Sequence, residues 1–282
     1  MDKRIPYASA LANRSLGLLG AGNMAEALVR GVLNSGAIPA SRILAGDVSP
    51  ERRAFFNENL GVSATDDNVK VVAASDLVVL CVKPQQVDAV LAQTASAVRP
   101  ERHVLASICA GVPTARLEKP LPQGARVVRV MPNTPMLVGL GASCLCGGQN
   151  AREEDLAAVE ALFACASLTM RVEEKMMDAV TGLSGSGPAY LFYLVEAMVA
   201  AGVADGFTPA QALTLATRTV LGAAKMLEET DLPPEELRRR VTSPNGTTQA
   251  AVERLDAEQV KGKLTAAVRR AAERSRELGR AQ

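Results

Sequence analysis

Ser15-Leu16-Gly17-Leu18-Leu19-Gly20-Ala21-Gly22-Asn23-Met24-Ala25 is a short apolar run that ends on glycine and leads straight into a segment of helical period. The run predicts a strand over residues 15–20, and Met24, Leu28 and Leu33 recur roughly at helical spacing over residues 23–34. Glycines at 20 and 22 with alanine at 25 reproduce the G-x-G-x-x-A spacing of a dinucleotide-binding turn. Gly20 permits the tight turn, and Gly22 lets the backbone come close to a pyrophosphate. The helix start then offers free N–H groups and the positive end of its dipole. A glycine triplet alone also occurs without a ligand, so the strand before it and the helix after it give it its weight.

The same alternation continues along the chain. Residues 42–45 predict a second strand, and Ser49-Pro50 opens a helix over residues 50–59 as a cap followed by proline at the first helical position. Residues 77–82 (LVVLCV) form a continuous apolar run, as a strand buried on both faces requires. Further strands are expected at 103–108, 125–130, 143–147 and 168–172, with a helix at 153–163. This order argues for a doubly wound parallel sheet. From Lys175 onward the apolar spacing is helical almost throughout, with helices expected from Pro188 to Ala204, from Thr208-Pro209 to about Glu229, from Pro233-Pro234, from Thr247 to about Leu255, and from Glu258 to Leu278. The expected fold is α/β: an N-terminal Rossmann-type doubly wound sheet over residues 15–172, after an extension at 1–14, followed by an all-α C-terminal domain at 173–282.

Composition narrows the function classes. The 31 basic and 30 acidic residues leave a net charge of +1, without the basic excess that phosphate neutralisation requires, so no nucleic acid is expected as a partner. No apolar run is read as reaching the ~18–20 residues that cross a bilayer, and residues 1–15 lack the apolar block of a secretory signal, so no membrane association is expected. Five cysteines, odd in number and set in apolar stretches, read as reduced thiols of a cytoplasmic protein. Cys144 and Cys146 lie on one face of a strand with no second pair nearby, so they read as filler and no metal is expected. His103, the one histidine, reads as a surface or strand-end residue. Asp47, at the end of the second strand, is placed to accept from the adenosine ribose hydroxyls, which favours NADH, whereas Ser49, Arg52 and Arg53 could hold a 2′-phosphate. Either NADPH or NADH is therefore expected, and replacing Asp47 by alanine is expected to shift the preference toward NADPH.

Four further segments are not explained by periodicity: Val82-Lys83-Pro84-Gln85, Met131-Pro132-Asn133-Thr134-Pro135, Leu183-Ser184-Gly185-Ser186-Gly187-Pro188-Ala189-Tyr190, and Val241-Thr242-Ser243-Pro244-Asn245-Gly246-Thr247-Thr248. In this order and spacing they make the chain resemble pyrroline-5-carboxylate reductase along nearly its whole length. The last segment carries the family signature, which continues through Ala250, Ala251 and Leu255. The resemblance implies NAD(P)H-dependent reduction of 1-pyrroline-5-carboxylate to L-proline, the last step of proline biosynthesis, by hydride transfer to the ring C=N carbon. It places the cofactor on Leu19, Gly20, Ala21, Gly22, Asn23 and Met24, with Asp47, Ser49 and Asn68 toward its adenosine end. Cys81, Val82, Lys83 and Pro84 line the nicotinamide side with Ile108, Cys109 and Ala110, and Glu174 also reaches the cofactor. Substrate binding falls to Ser186, Ser243, Gly246, Thr247 and Thr248. The helical C-terminal domain is implied to be a dimerisation domain, giving a homodimer or a higher homo-oligomer.

The residues of the signature agree with that chemistry. Ser243-Pro244-Asn245-Gly246 is a turn sequence leading into a helix whose exposed N–H groups could hold a carboxylate without arginine. Hydride transfer to C=N needs no covalent nucleophile, and Thr248 is the candidate to hydrogen-bond the ring nitrogen, orienting it more than acting as a true acid. The competing reading is that Thr247 or Thr248 merely caps the helix. Asn245 stands where the family usually has glycine, and asparagine tolerates a left-handed backbone nearly as well. Arg239 and Arg240 replace residues that are often acidic or amide. Two rival functions remain in view. A β-hydroxyacid or imine reductase would place a catalytic Lys or Asp on the helix of residues 188–204, which carries only Glu196; a nucleotide-binding regulator would not need the Ser243–Thr248 signature.

Overall fold

The computed structural model describes residues 8–280. Among them, eight strands form one sheet: β1 (Leu16–Leu19), β2 (Ile43–Gly46), β3 (Ser63–Thr65), β4 (Leu77–Leu80), β5 (Val104–Ser107), β6 (Arg126–Met131), β7 (Gly141–Gly147) and β8 (Ser167–Arg171). Their order is β3-β2-β1-β4-β5-β6-β7-β8, parallel throughout except where β6 meets β7. The chain crosses from one half of the sheet to the other between β1 and β4. A topological switch point of this kind leaves a crevice beyond the strand ends, where ligands bind in open α/β sheets.

Helices α1 (Asn23–Ser35), α2 (Pro50–Leu60), α3 (Asn68–Ala74), α4 (Val87–Thr94), α5 (Thr114–Glu118) and α6 (Glu153–Ala164) fall between or beside these strands. Local chemistry sets their ends. Ser49 Oγ accepts the Arg52 N–H at 3.1 Å with Pro50 at the first helical position, and Gly36 closes α1 in the left-handed conformation at φ 69°. The continuous apolar strands fill both faces of the sheet. Leu77 and Val79 join one core with Leu16, Leu18, Val29 and Phe163, while Val78 and Leu80 join a second with Leu19, Val87, Leu91 and Leu117. Alternation along a strand buried on both sides requires this division.

Three expectations from the sequence need correction. The segment before β1 is not a bare extension: Ala8–Leu11 is a 3-10 turn, and Leu11, 0% exposed, sits in the first core; residues 1–7 of that segment lie outside the described residues. By compactness, the sheet unit takes in the chain through Ser186 and again from Ala271. Thr181–Gly185 forms a π turn between α7 (Met177–Val180) and α8 (Gly187–Ala204), so the glycine-rich stretch does not end the helix. As a result, Glu174–Ala204 forms a helical stretch long and apolar enough, by length and composition, to cross a membrane, contrary to the expectation that no segment reaches that length. Finally, His103 is a strand-end residue at the foot of β5, as one of its two readings had it, but it is buried at 2% exposure and not on the surface.

The second unit, Gly187–Arg270, is helical. It holds α8, α9 (Pro209–Glu229), α10 (Pro234–Arg240), α11 (Thr247–Ala257) and the start of α12 (Val260–Arg280), whose last turns belong to the sheet unit. Helices α8 and α9 pack on each other, and Thr208 caps α9 reciprocally with Gln211. No residue of α8 is buried, although the helix carries Leu191, Phe192, Tyr193 and Leu194.

Candidate active site

The glycine loop sits at the switch point. Gly20 has φ +102°, and a Cβ there would lie 2.9 Å from the Cys81 carbonyl oxygen, so only glycine lets the ends of β1 and β4 approach this closely. A Cβ on Gly22 would meet no atom within 4 Å, so the backbone at that point faces open space. Gly22 is the N-cap of α1 and supplies no side-chain cap. The first-turn amides of Asn23, Met24 and Ala25 therefore have no acceptor among the described residues, which is the arrangement that binds phosphate.

Side chains hold this loop in place. Asp47 Oδ2 accepts the Ala21 N–H at 2.7 Å, and its Oδ1 accepts the Ser49 N–H at 2.9 Å. Arg52 Nε donates to the Ala21 carbonyl at 2.6 Å, its Nη2 pairs with Glu26 at 3.0 Å, and its guanidinium lies 4.7 Å from the Phe55 ring centroid. Partial burial works to raise the Glu26 pKa, but its pairs with Arg52 and Arg30 prevail and hold the carboxyl below its usual range. Both Asp47 oxygens thus serve the main chain. That makes Asp47 a brace of the loop, a role the sequence reading did not give it, beside the ribose contact it did. Arg52 was read as a possible holder of a 2′-phosphate and Glu26 was not singled out; nothing in their spacing marked the pair as a buttress.

The nicotinamide-side candidates converge on the same crevice. Cys81 touches Gly20, and Cys109 Sγ donates to the Val82 carbonyl at 3.3 Å, which brings the segments after β4 and β5 together. Burial pushes the Cys81 thiol well above its ordinary value, with Cys109 adding to the effect, and burial pushes Cys109 to about 11. Both stay protonated and poorly nucleophilic at neutral pH. Lys83 is exposed at the start of a short 3-10 turn, Pro84–Gln86. The Asn68 side-chain amide donates to Gln93 at 3.0 Å, with its Oδ1 beside Gly46 at the end of β2. Glu174 accepts the Thr114 N–H and hydroxyl, each at 2.6 Å, which orients it toward the segment after β5. Ser186 donates its N–H to the Thr181 carbonyl at 2.8 Å at the end of the π turn, and Asn133 donates to the Ser184 carbonyl at 3.1 Å, so two of the four motif segments meet.

The signature segment lies in the helical unit and is built as a turn into α11. Asn245 has φ 58°, the left-handed backbone that asparagine tolerates, and Gly246 donates its N–H to the Ser243 carbonyl at 3.0 Å. Gly246 is the N-cap of α11, without a side-chain cap. Neither Thr247 nor Thr248 is the cap, and the amides of Thr247, Thr248 and Gln249 have no acceptor among the described residues. The half-buried Thr248 has no hydroxyl partner among them either. Arg239 and Arg240 both pair with Glu236 on their own helix, at 2.7 and 2.8 Å, and draw its carboxyl down to about 2.

A nucleotide-ready glycine loop at the switch point of a Rossmann-type sheet, followed by a helical unit, defines an NAD(P)-dependent oxidoreductase. The family description "Pyrroline-5-carboxylate reductase dimerisation" matches residues 174–278, and "NADP oxidoreductase coenzyme F420-dependent" matches residues 15–111. Pyrroline-5-carboxylate reductase of Methanosarcina acetivorans is 43% identical, covering 95% of this chain and 99% of its own, and that of Arabidopsis thaliana is 44% identical, covering 93% and 95%. The crystal structure of Plasmodium falciparum pyrroline carboxylate reductase with NADP bound superimposes with a TM-score of 0.86 at 30% identity, covering 95% of this chain and 98% of that one. The chain belongs to the pyrroline-5-carboxylate reductase family.

Proposed function

We propose that the protein reduces 1-pyrroline-5-carboxylate to L-proline with NADPH or NADH. The start of α11 carries the reading: behind a glycine cap, three amides have no acceptor among the described residues and stand beside two threonine hydroxyls, a site for a small carboxylate carried without an arginine. The names of the relatives from Methanosarcina and Arabidopsis, and the NADP in the Plasmodium structure, support it.

The residues at the glycine loop fit a dinucleotide, because a Cβ on Gly22 would meet no atom and the first-turn amides of α1 have no acceptor among the described residues. Leu19, Gly20, Ala21, Gly22, Asn23 and Met24 hold its phosphates; Asp47, Ser49 and Asn68 surround the adenosine end. Cys81, Val82, Lys83, Pro84, Cys109 and Ala110 line the nicotinamide side, with Glu174 behind them. The bound dihydronicotinamide supplies the hydride. The amides of Thr247 and Thr248 hold the substrate carboxylate, and Ser186, Ser243 and Gly246 shape its surroundings. Thr248 orients the ring nitrogen and relays to it a proton taken from water, its hydroxyl accepting one proton as it gives up another; as a poor acid it contributes mainly orientation.

The exposed apolar side chains of α8 and α9, Phe192 at 64% among them, are the surface a second copy covers in a homodimer. This accounts for the long apolar helix without a bilayer, and five unpaired cysteines fit a cytoplasmic enzyme. The test is oxidation of NADPH and NADH by wild type and Thr248→Val on addition of pyrroline-5-carboxylate, with proline identified as product. Turnover by wild type and a loss of roughly 10–100-fold in kcat/KM for the variant are expected. Silence with both nucleotides, turnover only with β-keto acids, or an unimpaired variant would overturn the reading.

A further inference from the structure

A chain of polar contacts in the sheet unit runs through Glu174, already placed behind the nicotinamide wall, and joins it to four residues that have no role so far. Arg129, in the middle of β6 and 4% exposed, reaches Asp178 at 3.3 Å and Glu174 at 3.6 Å. Glu174 in turn holds the Thr114 amide and hydroxyl, each at 2.6 Å, at the start of α5. Asp178 accepts the hydroxyl of Ser275 at 2.6 Å, and Ser275, 2% exposed, belongs to the last turns of α12. Those turns lie against the loop after β5. Gly111 has φ +77°, and a Cβ on it would fall 2.7 Å from the Ser275 carbonyl oxygen; a Cβ on Gly279 would fall 2.5 Å from the Gly111 carbonyl oxygen. Two glycines thus bring backbone against backbone.

The contacts therefore close on one loop from both sides. Thr114 anchors its far end, three residues beyond Gly111, and Ser275 is at once the other end of the polar chain and the atom group that Gly111 rests on. A buried guanidinium between two carboxylates is a poor choice for stability alone, since apolar residues of similar volume commonly do as well. It does fix geometry, because each partner must sit where the fork points. We propose that Thr114, Glu174, Arg129, Asp178 and Ser275 are positioning residues that set the Cys109–Ala110 wall through Gly111, with the end of α12 as its backstop. This rests on the reading of Ile108, Cys109 and Ala110 as the nicotinamide side. None of the five is asked to touch the reacting atoms; misplacement of a positioning wall by about 1 Å can cost up to about 100-fold.

The test compares Thr114→Val, which keeps the shape and removes the hydroxyl, with Thr114→Ser, which restores it, and with Gly279→Ala, which presses on Gly111. NADPH dissociation constant, kcat/KM and thermal midpoint are measured on each full-length protein beside wild type. Thr114→Val and Gly279→Ala are expected to weaken NADPH binding by about 10-fold, with Thr114→Ser returning close to the wild-type value. Unchanged NADPH affinity in both variants, whether or not the midpoint falls, would make the network purely structural and overturn the proposal. Wild type that binds no NADPH would remove the cofactor-site reading itself, and the proposal with it.

Discussion

Asp47 shows how a side chain that pattern puts at a strand end can take on a role that pattern does not reveal. An acidic residue at the end of the second strand of such a sheet reads as a ribose acceptor, and that reading predicts a shift toward NADPH when it is removed. In the folded protein its two oxygens hold the Ala21 and Ser49 amides, and Arg53 ties down the Asp47 and Val48 carbonyls at 2.8 and 3.0 Å. Asp47→Ala releases the peptide leading into Gly22, so phosphate binding should suffer whichever nucleotide is used. The expected result is a drop of about 10-fold in kcat/KM for NADPH and NADH alike, from losing a charge-assisted bond of about 1.5 kcal/mol. Steady-state rates with both nucleotides decide it. A ratio that moves toward NADPH would restore the ribose contact as the main role.

Among the elements, β5 carries a testable pH dependence at its foot. The Nδ1 of His103 accepts the Arg99 N–H at 3.0 Å, so its lone pair must stay free of a proton, and its Nε2 is buried without a partner among the described residues. Burial, then the charge of nearby Arg102, holds its pKa below the ordinary 6.5, although Asp76 pulls the other way. A depressed histidine pKa means the unfolded chain takes up the proton first as pH falls. The stability His103 confers is therefore intact above pH 6.5 and is lost as pH drops from there through the folded pKa, by at most about 1.4 kcal/mol per pH unit for one proton. Because it is the one histidine in the chain, denaturant melts of wild type and His103→Asn between pH 7.5 and 5 isolate the effect. Wild type should lose stability relative to the variant on acidification, and parallel curves would contradict the assignment. The sequence could not reveal this burial, since a histidine after Arg99-Pro100-Glu101-Arg102 has a charged flank and no periodic context. Elements with a long apolar period were legible: β4, α1, α8 and α9 fall where their spacing puts them. The three-residue edge strand β3 (Ser63–Thr65) is too short and polar to show a period, and the π turn at Thr181–Gly185 follows from i→i+5 bonding that residue type does not signal.

For the whole molecule, the division into a sheet unit and a helical unit was readable, because alternation of period gives way to unbroken helical spacing near Lys175. The return of α12 to the sheet unit was not, since it depends on Gly111 and Gly279 meeting across a separation of well over one hundred residues. The candidate site divides in the same way. Its motif segments were visible as glycine, proline and threonine clusters, whereas the groups that hold them, Arg52, Glu26, Arg129 and Ser275, are ordinary residues made important by packing. The central claim is a hydride moving from a dihydronicotinamide held by the glycine loop's nucleotide site to the ring carbon of a cyclic imino acid. Turnover of pyrroline-5-carboxylate with NADPH deuterated at the transferable position of nicotinamide C4 tests it most directly, with the proline analysed for label by mass spectrometry and NMR. The account predicts one deuterium per proline, at the ring carbon that was double-bonded to nitrogen; unlabelled proline, or label at any other carbon, would contradict it.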